Sequence, residues 1–347
     1  PLLEEDSGFA RDDFYPLTLE AFQCEGRLYA LPQAIDARML AYNRALFDAA
    51  DEPYPSPDWT WDDLLVTAGR LTRHEAPAQW GFTLTDTGWY ELPIILTAQR
   101  LEETPGTGDA NTLLSSPHAA DVLQWWLDLV TVYGVMPLPI ADGAYPAGRQ
   151  MFREGRAAMI VAPLAGIGVT AREIMDIGVI ALPVTGQPAT YFDVHGYSIS
   201  AQTEHPQEAW RWVEFLSRQT NALGVMPARR SLSAETIFRQ DDPALQGEIR
   251  TAYATMLERY QNAAVLAQAG GDPYESDVLQ RTFVQAAKLS WNQDDSVTAA
   301  LRDAQERFAG YLACVEARKE ESSAIRSEKC AEEIGIPGWQ ELLGLSD

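Results

Sequence analysis

Long apolar runs are absent from this 347-residue sequence, and histidine and cysteine are scarce. No stretch of about eighteen consecutive apolar residues occurs, so the sequence predicts no membrane-spanning helix. The four histidines are scattered along the chain, and the three cysteines lack the spacing of zinc ligands. We therefore expect neither a metal site nor a cofactor.

Positively charged residues are also few compared with acidic ones. The 26 Lys and Arg residues face 50 Asp and Glu residues, which gives a formal net charge of -24 at pH 7. A surface this acidic repels phosphate backbones and anionic lipid headgroups. The charge therefore argues against a nucleic-acid partner and against direct adhesion to a membrane.

Catalytic motifs with a local signature are missing too. The sequence has no GxSxG elbow, no P-loop, no GxGxxG after a strand and no HExxH. A pair of glycosidase carboxylates needs no fixed spacing, so 50 acidic residues leave that alternative open. We predict a protein that is not an enzyme, with a glycosidase as the alternative.

Apolar patterning predicts an α/β fold with a mainly helical C-terminal part. Segment 26–42 predicts a strand, a break at Pro32 and a second strand, and Asn43 is the expected N-cap of a helix to Ala50. Strand-like runs lie at 81–84, 157–161, 177–182 and 196–200, and helical spacing at 93–100, 119–133 and 206–216.

Six segments carry a family resemblance. They are GRLYALPQAIDARMLAYNRALF, PSPDWTWDDLLVTAGRLT, MFREGRAAMIVAP, IGVIALPV, HGYSISAQTEHPQEAWRWVEFLS and GVMPARRS. In this order and spacing they resemble the family 1 extracellular solute-binding proteins of ABC importers, the maltodextrin-binding-protein-like family. The resemblance runs from about Asp13 to about Gly310 and does not point to one substrate.

The resemblance implies two α/β lobes joined by crossing hinge strands, with a ligand cleft between them (a type II periplasmic-binding-protein fold). Lobe I would comprise 1–37 and 195–245, and lobe II 38–194 and 246–315. Residues 316–347 would form a tail without a family feature. We expect the N-terminal part of lobe I to be absent from this sequence.

The resemblance also places ligand-binding residues on the first hinge strand. Asp36 lies where the family has a sugar-contacting acid just before the hinge. Arg38 follows two residues later and therefore shares the same side of an extended strand. An Asp–Arg pair that only braces the hinge is the alternative for these two residues.

The second hinge strand lies within YFDVHGYSI. Asp193, His195, Gly196 and Tyr197 occupy positions where the family lines its cleft. Gly196 would let the backbone approach a ligand closely, because glycine has no Cβ. For His195 the alternative is a hydrogen-bonded histidine at a strand end.

Two aromatic residues follow the sequence TDTG. In the family this loop carries a ring that stacks on sugar, so Trp89 and Tyr90 are binding candidates. Asp86 is a candidate acceptor for sugar hydroxyls in the same loop. Packing in the core is the alternative for both rings.

Three further candidates come from later segments of the resemblance. Arg229 lies in a turn that borders the cleft in the family, and Tyr274 and Asp277 begin a helix that faces it. A solvated helix start is the alternative for these residues. Leu164 and Gly166 stand where maltodextrin binders have tryptophans, so long maltodextrins are not expected as ligands.

Cys314 and Cys330 flank a polar stretch near the C-terminus. They are candidates for a disulfide in an oxidising compartment, which would leave Cys24 unpaired. Three unpaired thiols are the alternative.

The resemblance implies a monomeric, extracytoplasmic protein, either periplasmic or lipid-anchored at the cell surface, with its signal segment outside this sequence. Such a protein captures a sugar or oligosaccharide and delivers it to ABC permease subunits. Besides the glycosidase, a binder of the same fold for a polyamine or a phosphorylated solute is an alternative. Acids and aromatics would favour the polyamine, whereas arginines and helix N-termini would favour the phosphate.

Overall fold

Strands and helices alternate along the chain, which confirms the predicted α/β class. The structure of the protein is a computed structural model that describes residues 2–6, 9–24, 26–85, 88–100, 114, 116–137, 148–163, 176–186, 190, 192–219, 225–233, 243–259, 273–291 and 296–343. The strands are β1 (Gln23–Cys24), β2 (Arg27–Leu28), β3 (Leu31–Asn43), β4 (Trp80–Leu84), β5 (Ala157–Pro163), β6 (Ile177–Ala181), β7 (Phe192–Tyr197) and β8 (Met226–Pro227).

The helices are short in the first third of the chain and longest near its end. They are α1 (Leu2–Glu5), α2 (Pro16–Glu20), α3 (Arg44–Ala50), α4 (Trp61–Leu71), α5 (Gly88–Gln99), α6 (Ala119–Thr131), α7 (Gly148–Arg153), α8 (Pro206–Ser217), α9 (Arg230–Ser233), α10 (Pro243–Arg259), α11 (Pro273–Trp291), α12 (Val297–Ala317), α13 (Ser323–Ile334) and α14 (Trp339–Leu343). None of the helices described is long and apolar enough to cross a membrane.

Strand β3 is shared by two groups of strands. Its first half pairs antiparallel with β7 and β8, through residues 31–37. Its second half pairs antiparallel with β5 and β6, through residues 38–43. Strand β4 joins β5 in parallel, which gives the order β4-β5-β3-β6 on that side. One continuous strand therefore carries both groups.

The predicted break at Pro32 was wrong, because β3 continues through it. Proline cannot donate a ladder hydrogen bond and is tolerated at the beginning of a strand or at a bulge. Both conditions hold here, since Pro32 is the second residue of β3 and the register with β7 shifts between Pro32 and Ala34. The irregularity is absorbed at the strand's start, and the rest of β3 is regular.

Side chains cap the starts of α3 and α4. The side chain of Asn43 accepts a hydrogen bond from the Leu46 backbone N–H at 3.3 Å, which starts α3 as predicted. Thr60 and Asp63 form a reciprocal capping box at the start of α4. The backbone and side-chain hydrogen bonds from Thr60 lower the pKa of Asp63.

Helix α5 begins at Gly88, five residues before the predicted start at Pro93. Proline lacks an N–H and favours the first turn of a helix, which is why the sequence pattern places it at the start. Instead Pro93 lies inside α5, and its carbonyl accepts a hydrogen bond from the Thr97 hydroxyl at 2.8 Å. Trp89 and Tyr90 therefore belong to the first turn of a helix and not to a loop.

Side chains on the two faces of β3 pack in different hydrophobic clusters. Leu40 and Tyr42 belong to a large cluster that includes Trp126, which is buried as the helical spacing of α6 predicts. Met39 and Ala41 point the other way and pack in a second cluster with residues of α10. The alternation of side chains along a strand explains this division.

The C-terminal segment is part of the large core. Cys314 of α12 and Cys330 of α13 form a disulfide with a Cα–Cα distance of 5.7 Å, and Cys330 is fully buried. The hydroxyls of Tyr311 and Ser327 lie 2.8 Å apart in the same buried seam. Helix α14 reaches back to α11, where the Trp339 indole N–H donates to Asp277. Residues 316–343 are therefore packed on α11 and α12 rather than detached from them.

We expect the Cys314→Ser/Cys330→Ser variant to lose about 3 kcal/mol of unfolding free energy, because the bridge closes a loop in the unfolded chain. Urea denaturation in non-reducing buffer measures this loss. Cys24→Ser is the matched control and should leave the midpoint unchanged. Two free thiols at Cys314 and Cys330 in protein purified without a reductant would contradict the bridge.

Candidate functional site

Three charged side chains share one face of the sheet where β3 passes from one group of strands to the other. Asp36 and Arg38 are two residues apart on β3, so their side chains leave the same face. Asp193 of β7 lies directly opposite Asp36 in the antiparallel register, which places its side chain on that face as well. The sequence analysis names each of these three residues as a ligand-binding candidate, Asp36 and Arg38 on one hinge strand and Asp193 on the other.

Arg38 binds two carboxylates at once. Its Nε and Nη2 atoms donate to the two oxygens of Glu91, each at 2.5 Å, and Nη1 donates to Asp193 Oδ2 at 2.7 Å. The side chains of Arg38 and Glu91 are each 5% exposed, whereas that of Asp193 is 37% exposed. Asp193 is therefore the member of this network that solvent can reach.

The surroundings of Arg38 favour its protonated, charged form. Burial disfavours the guanidinium, but the hydrogen bonds and charge of Glu91, followed by those of Asp193, raise the pKa of Arg38 above its usual value. The bidentate arrangement with Glu91 is the geometry in which guanidinium and carboxylate bind most strongly. Arg38 thus ties the first turn of α5 to both β3 and β7.

Glu91 was missed by the sequence reasoning. It lies in the first turn of α5, directly after Trp89 and Tyr90, and an acid there is favoured by the helix dipole. A signal existed, since an acidic residue stands between two aromatic candidates and Pro93. The partner could not be identified because Arg38 is 53 positions away in the sequence.

The opposite face of the crossing is apolar and closed. Ile35 and Ala37 are fully buried against α10, and the Tyr253 hydroxyl donates to the Ile35 carbonyl at 2.6 Å. Burial raises the pKa of Tyr253 well above its usual value, and the carboxylate of Asp36 adds to the effect. The polar side chains of the crossing therefore all lie on the charged face.

The other predicted residues of β7 have different surroundings. His195 is exposed and lies opposite Ala34, on the same face as Asp193. A Cβ on Gly196 would come within 2.7 Å of the Phe22 ring and 2.9 Å of the Leu31 carbonyl oxygen, so the packing around this exposed position favours glycine. Tyr197 is half-buried and packs on the small cluster around Phe14.

Arg229 has a structural environment. It is 1% exposed, lies 4.2 Å from the centre of the Phe14 ring, and donates to the Ser217 hydroxyl at 3.0 Å and to Asp13 at 3.4 Å. Burial, followed by the charge of Arg218, lowers the pKa of Arg229. Neither a cleft border nor a solvated helix start describes this residue, because the packed N-terminal segment covers it.

The start of α11 is held by the C-terminal helices. Asp277 accepts the Trp339 indole N–H at 2.7 Å and lies 3.0 Å from the Arg281 guanidinium. Tyr274 is 40% exposed. Asp277 therefore anchors α14, while Tyr274 keeps an accessible ring.

The remaining predicted residues have no described side chain. Asp86 lies outside the described residues, and so do the side chains of Trp89 and Tyr90, although the backbone of both belongs to α5. Among the residues described, no group of three or more His, Cys, Asp or Glu side chains could hold a metal ion.

A separate groove of about 470 Å³ lies between β6, α10 and the proline-rich turn before α4. Its lining residues are Tyr42, Pro55, Pro57, Val179, Ile180, Ala181, Gly247, Glu248, Thr251, Ala252 and Thr255. None of the predicted site residues lines it. The charged face at the crossing and this groove are therefore different places on the molecule.

Sequence comparisons link the chain to known binding proteins. A family model described as bacterial extracellular solute-binding protein matches residues 3–222, more than half of the chain. A binding protein of Brucella abortus (strain 2308) is 24% identical over 229 residues, covering 62% of this chain and 54% of the relative. The maltodextrin-binding protein MdxE of Bacillus subtilis (strain 168) is 21% identical over 247 residues, covering 69% and 57%. The chain spans about half the length of the curated relatives it matches.

Solved structures show the same fold. The ABC substrate-binding protein Lmo0181 from Listeria monocytogenes, in complex with cycloalternan, superposes with a TM-score of 0.68 at 20% identity, covering 89% of this chain and 78% of that one. Maltose-bound MalE3 of T. maritima gives 0.66 at 19% identity, covering 89% and 79%. The chain therefore has the two-lobed fold of periplasmic binding proteins, as predicted.

We expect Arg38→Met to lose about 3–5 kcal/mol of unfolding free energy, because it leaves the Glu91 carboxylate buried without its cation. The Arg38→Met/Glu91→Leu double variant removes both charges and should recover most of that loss. Urea denaturation of the wild type, both single variants and the double variant gives the coupling energy.

The matched control is Arg70→Met, which breaks a pair with Glu52 in which the arginine is 60% exposed. It should cost less than about 1 kcal/mol. A loss in Arg38→Met no larger than in this control would contradict the buried network.

Proposed function

Because the chain belongs to the bacterial extracellular solute-binding protein family, we propose that it captures a sugar or oligosaccharide in a cleft between two lobes. It then delivers that ligand to the permease subunits of an ABC importer. The observation that carries the proposal is the charged face at the crossing, where Asp36, Arg38 and Asp193 meet between two groups of strands.

The first boundary between the proposed lobes follows the pairing of β3. Lobe I comprises 1–37 and 195–245, lobe II comprises 38–194 and 246–315, and 316–347 is the tail. The pairing of β3 supports the boundary, because its partners change between residues 37 and 38. Hinge closure in this fold moves two lobes about such shared strands.

The chemistry of the site supports a sugar. Ionised carboxylates only accept hydrogen bonds, and sugar hydroxyls donate them. Asp193 offers exposed carboxylate surface, and His195 is exposed on the same face. Trp89 and Tyr90 are the proposed rings for the apolar faces of the sugar.

Several relatives and superposed structures bind ligands of this class. One relative is a maltodextrin-binding protein of Bacillus subtilis and another is an arabinooligosaccharide-binding protein of Halalkalibacterium halodurans. Superposed structures hold cycloalternan, maltose and maltotetraose. We propose for this chain the same class of ligand, an extracytoplasmic location, either periplasmic or lipid-anchored, and a monomeric state.

A thermal-shift screen tests the proposal. The purified protein is heated with mono- and oligosaccharides, polyamines and sugar phosphates, and a ligand that binds only the folded state raises the melting temperature. We expect a rise with one class of sugar and no product after incubation. A rise only with a polyamine or a phosphate would reject the sugar, and sugar breakdown in the same tubes would favour a glycosidase.

Trp89→Ala should weaken binding of the sugar found in that screen at least tenfold, a loss of about 1.4 kcal/mol, through removal of a stacking surface. Trp212→Ala is the matched control, because it removes the same side chain from an exposed position on α8. Calorimetric titration measures both. An unchanged dissociation constant in a folded Trp89→Ala protein would reject the role of this ring.

A further inference from the structure

The guanidinium of Arg38 is occupied on every nitrogen. Nε and Nη2 face the two oxygens of Glu91, and Nη1 faces Asp193. An arginine that recognises an acidic ligand does so by presenting two parallel N–H groups to its carboxylate or phosphate. In Arg38 the protein's own Glu91 fills that position.

Glu91 itself lies out of a ligand's reach. Its side chain is 5% exposed and pairs with Arg38 on the inner side of the network, while the exposed surface belongs to Asp193. A change at Glu91 therefore alters what Arg38 can offer without altering an exposed contact atom.

The network is also negative as a whole. The carboxylates of Glu91 and Asp193 both pair with one guanidinium, which leaves a formal charge of minus one, and Asp36 leaves the same face of β3. At this degree of burial, charges interact more strongly than in bulk water, so a further negative group would be repelled.

We propose that Glu91 is a specificity-determining positioning residue that makes the site select neutral sugars over acidic ones. By holding the Arg38 fork, it withholds the cation that a sugar acid or sugar phosphate would need, and it keeps the crossing negative. This inference rests on the proposed function and adds the charge class of its ligand.

The test compares neutral sugars with sugar acids that carry one carboxylate; the aldonates also open the reducing-end ring, so D-glucose with D-glucuronate is the pair that keeps the ring. The probes are maltose with maltobionate, arabinobiose with arabinobionate, and D-glucose with D-glucuronate. Dissociation constants are measured by calorimetric titration at low ionic strength, where charge effects are least screened. The quantity compared is the ratio of acidic to neutral dissociation constants within each protein.

Three variants accompany the wild type. Glu91→Gln keeps an acceptor oxygen but removes the charge and releases part of the fork, and Asp193→Asn does the same on the other arm. Asp176→Asn is the matched control, because it removes one charge from a 57% exposed acid that pairs with Arg44 beyond the far end of β3. Melting temperatures establish that each variant is folded, and Asp193→Asn serves if Glu91→Gln does not fold.

In the wild type we expect the acidic sugar to bind at least tenfold more weakly than its neutral partner, the effect of about 1.4 kcal/mol. Glu91→Gln and Asp193→Asn should lower the ratio of acidic to neutral dissociation constants at least fivefold, and Asp176→Asn should leave that ratio unchanged. Equal binding of both sugars to the wild type, or a ratio that no folded variant changes, would overturn the role of Glu91 while sugar binding stands. If no sugar, neutral or acidic, binds to the wild type, the proposed function and this inference are refuted together.

Discussion

The structure depends on the requirement that every backbone group of one buried strand finds a partner. Strand β3 has 13 residues, all buried, and water cannot satisfy its N–H and C=O groups. Its first half is paired by β7 and β8 and its second half by β5 and β6. Because the same strand completes both groups, it fixes where they meet, and the charged face lies at that junction.

The buried charges at this junction add little net stability compared with apolar side chains of similar volume. Removing Arg38 and Glu91 from water costs several kcal/mol per ion, and an apolar pair of similar volume is often as stable. The pairing of Arg38 with its carboxylates instead fixes how neighbouring elements are placed relative to β3. The guanidinium is planar and its donors diverge, so one residue fixes α5 through Glu91 and β7 through Asp193 at the same time. The proposed sugar site would need that rigidity, because hydroxyl contacts are lost when an acceptor is misplaced.

Sequence reasoning succeeded where the signal is local. The Asn43 cap, the strand at 157–161 and the helix containing Trp126 all follow from neighbours within a few residues. It failed where distant segments decide the outcome. Pro32 continues a strand because β7 accommodates a register shift, and Arg229 is buried because residues near Phe14 fold over it. The Arg38–Glu91 pair joins residues that no short pattern connects.

The alternation of side chains gives β3 a parity. Asp36 and Arg38 share one face with Leu40 and Tyr42, while Ile35 and Ala37 share the other with Met39 and Ala41. Inserting or deleting one residue within the regular part would exchange the two faces over the remainder of the strand, whereas a change of two residues would preserve them. A bulge is the device that absorbs an odd residue. The register shift between Pro32 and Ala34 lies upstream of the charged residues. From Ala34 onward the pairing with β7 is regular, so the shift does not change which face Asp36 and Arg38 occupy.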